Sequence, residues 1–163
     1  MNKFNVKIGT VISGTHRTLD LIAAYHAVML SNDDLQHEYD DQLWDDVSAL
    51  IRVIGGLKGD SDDGKAEEAL SETSYAIDLV DRLGDQLQEV APIYCFFGTH
   101  RGNGSDYGFW VDQDELDEAI SDDVIKTGDS CPDDLLAGDL FLVVNDHGNM
   151  TLWQGEEIIW SVV

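Results

Sequence analysis

The sequence predicts an α+β protein: an N-terminal strand, three helices, then a sheet-rich C-terminal half ending in a hairpin. Three observations predict it. Apolar residues alternate with period two near the N-terminus. Spacings of three and four govern residues 16–91. Short apolar runs bounded by Gly, Asn and Asp fill residues 93–163. The chain has 163 residues and is 43% hydrophobic, which excludes a mainly disordered chain. We expect one domain over 1–163, with a core that needs neither disulfide nor metal.

Phe4, Val6, Ile8, Thr10 and Ile12 define the first strand, and Ser13-Gly14-Thr15 interrupts it. A helix is expected from His16 to Leu30, with Leu19, Ile22, Tyr25, Val28 and Met29 on one face and Thr15 or Thr18 as its cap. A second helix should run from Asp33 or Asp34 to Ile54, burying Leu35, Tyr39, Leu43, Val47, Leu50 and Ile54. Gly55-Gly56 ends it, and a flexible acidic loop over 55–65 follows. The third helix is expected over Ala66–Ala91, with Ala76, Val80, Leu83, Leu87 and Val90 as its seam and Pro92 as its stop. Ile93–Phe97 and Tyr107–Val111 read as strands, Asp112–Ile120 as a short helix. Leu140–Asn145 and Met150–Trp153 flank Asp146-His147-Gly148-Asn149, a hairpin turn, and Ile158–Val163 reads as the last strand. One short echo exists, Gly14-Thr15-His16-Arg17 against Gly98-Thr99-His100-Arg101.

The charge is one-sided. There are 33 acidic residues against 9 Lys and Arg, a net charge of −24. Residues 31–91 carry 17 of the acids, 102–163 carry 15, and the first 30 residues only Asp20. Such a field repels nucleic acid and anionic membranes and attracts basic proteins. Helical spacing lines up Asp34, Glu38, Asp41 and Asp45 on the second helix, and Asp78, Asp81, Asp85 and Glu89 on the third. The plain interpretation is a pair of solvated helix faces. Ordinary faces, however, mix both signs. Rows of carboxylates also imitate the closely spaced charge of a DNA backbone. These eight acids are therefore the candidate partner-binding residues.

The second unusual stretch is the glycine-rich segment Phe97–Trp110. His16, Arg17, His100 and Arg101 form a candidate anion pocket there, with Tyr107 or Trp110 as a stacking surface. The spacing is not that of a phosphate-binding Walker loop. The alternative is a tight strand connection with His100 in a structural hydrogen bond. No nucleophile, base and orienting acid stand at a recognisable spacing, so no catalytic residue is assigned and no enzyme is expected.

Asp60, Asp62 and Asp63 lack the EF-hand pattern, and the histidines and cysteines lack zinc spacing, so no metal or cofactor is expected. Cys95 and Cys131 read as reduced thiols. Met1–Gly14 has no apolar signal core, and no apolar run reaches a bilayer-spanning length. The expected location is cytoplasmic, inside a host cell.

Three segments resemble an uncharacterised family of bacteriophage and prophage proteins. They are Ile12–Ile22, the Phe96–Trp110 loop, and Val144–Trp153 with Ile159–Val163. Thr99, Arg101 and Asn103 depart from the family's usual Phe-Gly-Ala-His-x-Gly-Asp-Gly loop. The resemblance implies a mobile-element origin and carries no activity. Small acidic phage proteins include DNA-mimicking inhibitors of restriction and CRISPR systems, to which this chain is similar in charge and size only. The leading expectation is thus an anti-CRISPR or anti-restriction inhibitor that binds a basic nucleic-acid-binding surface, without binding nucleic acid or membrane itself. The alternatives are a nucleotide-binding or sequestering protein using the His/Arg loops, and an acidic homo-oligomer.

Overall fold

A computed structural model of the chain describes residues 6–31, 41–56 and 63–162. The fold is α+β. In chain order the elements are β1 (Gly9–Ser13), α1 (Thr18–Leu30), α2 (Asp41–Gly56), α3 (Asp63–Ser71), α4 (Ser74–Glu89), β2 (Cys95–His100), β3 (Asn103–Val111), α5 (Gln113–Ser121), β4 (Ile125–Gly128), β5 (Leu140–Val144), β6 (Met150–Gln154) and β7 (Glu157–Val162). One sheet has the order β1-β3-β2, the other β4-β5-β6-β7. The described chain divides into two compact units. A helical unit comprises 10–31, 41–56, 63–90 and 97–108. A sheet unit comprises 6–9, 91–96 and 109–162.

In the helical unit, α1 starts two residues later than expected. Thr18 is its first helical residue, and Arg17 occupies the cap position without a side-chain cap. Thr15 works just ahead of the helix instead. Its hydroxyl accepts the Arg17 N–H at 3.1 Å and donates to Asp20 Oδ2 at 2.8 Å. Leu19, Leu21, Ile22, Tyr25 and Met29 are buried. Leu43, Val47 and Leu50 are the buried series of α2. The expected start of that helix at Asp33 or Asp34 lies outside the described residues, as do Leu35 and Tyr39. Gly55 and Gly56 form its last turn and 63–65 belong to α3, so both ends of the expected loop over 55–65 are helical; residues 57–62 lie outside the described residues.

The single third helix is corrected to two, α3 and α4. The break lies at Glu72-Thr73. Thr73 takes an extended backbone and its hydroxyl accepts the Ala76 N–H at 3.2 Å. The same hydroxyl donates to Leu70 O at 2.8 Å, closing the end of α3. A threonine that caps one helix and terminates another outweighs a continuous apolar period. The buried seam of α4 is Ala76, Leu79, Leu83 and Leu87 rather than one through Val80.

The sheet unit was less legible. Asp112 caps α5 by accepting the N–H groups of Asp114 and Glu115. β4, which the periodicity did not predict, pairs in parallel with β5, Ile125 opposite Leu140 and Gly128 opposite Val143. β5 and β6 pair antiparallel as expected. Their turn is organised by Asn145, whose Oδ1 accepts the N–H groups of His147 and Asn149, with Gly148 at φ +81°. Between β6 and β7 the register slips: Leu152 faces Trp160, but Trp153 faces Ile158. Ile159 is thus the extra residue of a bulge, which lets neighbours Ile159 and Trp160 both be buried. Trp160 donates its indole N–H to Ile93 O at 2.9 Å. Phe109, Leu116, Ile125, Phe141 and Leu152 complete this core. Cys95 lies in it, and burial, reinforced by Asp112, pushes its thiol up to about 12. Among the described residues, no helix is long and apolar enough to cross a membrane.

Candidate functional site

Helical periodicity points the acids of α2 and α4 outward, and the two helices pack on one another. Asp41 and Asp45 on α2 are exposed, as are Asp78, Asp81, Asp85 and Glu89 on α4. Asp34 and Glu38 lie outside the described residues. At about 1.5 Å rise per residue, the α4 row extends roughly 16 Å from its first acid to its last. Arg82 joins the two helices. One guanidinium nitrogen lies 3.6 Å from Asp46 Oδ2 on α2 and 3.9 Å from Asp78 Oδ2 on α4. Asp78 is therefore partly neutralised, a detail that spacing alone did not reveal. Glu89 accepts a hydrogen bond from Gln86 at 3.2 Å. Asp41, Asp45, Asp81 and Asp85 have no basic partner among the described residues.

The His/Arg patch is arranged differently from the sequence expectation. The two copies of Gly-Thr-His-Arg adopt different structures. Gly14-Thr15-His16-Arg17 leaves β1 at a positive φ of +77° on Gly14 and leads into α1. Gly98-Thr99-His100 is strand, and Arg101 opens the two-residue turn to β3. His100 Nδ1 accepts the Gly102 N–H at 3.1 Å, so this imidazole is committed to its own turn. His16 Nδ1 instead lies 3.1 Å from the Tyr107 hydroxyl. His16 and Arg17 line a cavity of about 700 Å³ together with Glu68, Ser71 and Glu72. Neither His100 nor Arg101 is among its described lining residues. Two carboxylates against one guanidinium and one imidazole make this a poor anion site. Trp110 belongs to the sheet unit. Tyr107, His16 and Arg17 belong to the helical unit.

The helical unit carries a second concavity. It is a groove of about 450 Å³ between α4 and the β2–β3 hairpin, lined by Tyr25, Asp81, Gly84, Asp85, Phe97 and Tyr107. Tyr25 meets Phe97 edge-to-face at 4.9 Å and 85°, and Tyr107 at 6.4 Å and 61°. Gln88 Oε1 accepts the Phe97 N–H at 2.9 Å and fixes the hairpin against α4. Burial, with Tyr107 alongside, raises the Tyr25 hydroxyl above its usual range. Gly84 sits mid-helix, where glycine costs roughly 1 kcal/mol relative to alanine. Sequence reading placed Tyr25 on an apolar face and Phe97 in a strand, and gave no reason to bring them together.

Two further buried polar atoms lack hydrogen-bond partners among the described residues, His26 Nε2 and Asp106 Oδ1. The His26 ring packs 4.9 Å from that of Trp44, and burial lowers its pKa below the ordinary 6.5. Among the described residues no group of three or more His, Cys, Asp or Glu side chains gathers to hold a metal. The chain matches no family model, curated protein or solved structure.

Proposed function

We propose that this protein is an inhibitor that binds a basic, nucleic-acid-binding protein surface through the carboxylates of α2 and α4. The observation that carries this reading is the set Asp41, Asp45, Asp81 and Asp85. These acids are exposed on two packed helices, without a basic partner among the described residues. Unrelieved like charge on neighbouring helices destabilises the fold slightly. A partner that supplies the missing cations removes that repulsion and gains long-range electrostatic steering. The resemblance to phage proteins gives the setting, inhibition of a host-defence nuclease in the manner of an anti-CRISPR or anti-restriction protein.

The test is affinity capture from a bacterial host lysate, with the wild type and a variant carrying Asp41→Asn, Asp45→Asn, Asp81→Asn and Asp85→Asn. The wild type is expected to retain a nuclease or CRISPR effector that added DNA releases, and the variant to retain none. Equal capture by both proteins, or recovery of metabolic enzymes alone, contradicts the proposal.

A further inference from the structure

We infer that the groove between α4 and the β2–β3 hairpin takes an arginine side chain from the basic partner, an inference that rests on the function proposed above. Three independent features lead there. The first is its floor. Tyr25 is 3% exposed, yet it lines the groove and its hydroxyl has no hydrogen-bond partner among the described residues. Phe97 and Tyr107, both in ring contact with Tyr25, add aromatic surface to the groove. The second is its rim. Asp81 and Asp85 stand on consecutive turns of α4 beside those rings and pair with no base among the described residues. The third is Gly84. A Cβ built there meets no atom within 4 Å, so packing does not require the glycine. It weakens α4, and its missing side chain leaves the groove open.

Aromatic rings beside carboxylates define the chemistry of the guest. A cation is drawn to both ring faces and carboxylates. A planar guanidinium stacks on the rings while its several N–H groups reach the carboxylate oxygens and a tyrosine hydroxyl. A lysine ammonium satisfies the charge but not the stacking. An anionic or neutral guest gains nothing from Asp81 and Asp85. A groove of about 450 Å³ accommodates one such side chain and the backbone that carries it.

The isotope-labelled protein is titrated with an Arg-Gly-Gly repeat peptide and with its lysine and citrulline counterparts, and amide resonances are followed. The arginine peptide is expected to move Gly84, Gly98 and Thr99 saturably, the lysine peptide to bind more weakly, and the citrulline peptide not to bind. Asp81→Asn with Asp85→Asn should weaken arginine binding about tenfold, the loss of a charge-assisted contact. Asp41→Asn with Asp45→Asn should change it less than about twofold, as expected of exposed carboxylates that do not line the groove. Gly84→Leu should fill the groove and abolish binding. It should also raise the melting temperature by about 2–4 °C, because it restores helix propensity. A stabilised Gly84→Leu protein that still binds, equal losses in the two double variants, or binding of citrulline, overturns the groove assignment. In those cases capture of a basic partner by α2 and α4 stands or falls on its own assay.

Discussion

Arg82 decides how much of the carboxylate surface on α2 and α4 remains unpaired. Its guanidinium spans Asp46 and Asp78 and is about one-third exposed. Arg82→Ala leaves two carboxylates facing each other. It is expected to lower unfolding free energy by about 0.5–1 kcal/mol in low salt and by less in high salt. The same change makes the surface more negative, so affinity for a basic partner should rise. Denaturant titration reads the first effect and partner titration the second. His26 gives a residue-level pH signature. Burial keeps its folded pKa below 6.5, so as pH falls the unfolded chain is protonated first. The stability contributed by the neutral ring is present above that value and lost below it. The wild type should therefore lose stability relative to His26→Leu between about pH 7.5 and 5.5, across the ordinary histidine range. A constant difference between the two proteins contradicts the assignment.

At the scale of elements, two substitutions probe what the sequence did not announce. Thr73→Ala removes the hydroxyl that caps α4 and closes α3, and should cost about 1 kcal/mol in thermal unfolding. Gly155 lies between β6 and β7 at φ +56°, and a Cβ there approaches Ala137 Cα to 2.8 Å. Gly155→Ala should therefore destabilise by about 1–3 kcal/mol, through backbone strain and this contact together. The terminal hairpin and most of the α4 seam, with Leu79 in place of Val80, were legible because each is a local turn or a local period. The division at Thr73 was not, because apolar spacing alone cannot show a hydroxyl turning back to Leu70. β4 was missed for a related reason. It has four residues, of which only Ile125 is buried, and its pairing is fixed by β5, which begins at Leu140. The acid rows could be read from spacing, but the groove could not. Its rings come from α1 and the hairpin, and Gly84 reads as a simple helix weakness until the space above it is seen.

At the scale of the whole molecule, the net charge of −24 dominates. Self-repulsion opposes the compact state and is screened by salt within about 10 Å at 0.1 M. The melting temperature should therefore rise as salt increases from about 0.02 to 0.5 M, while binding to a basic partner weakens over the same range. A flat or falling melting curve would show that the acids are balanced by interactions within the fold. The most direct test of the central claim is a displacement measurement on the captured partner. Its fluorescent duplex DNA should be released stoichiometrically by the wild-type protein and left bound by the variant lacking Asp41, Asp45, Asp81 and Asp85. A ternary complex in which DNA and inhibitor are bound together, or equal release by the variant, would contradict the account.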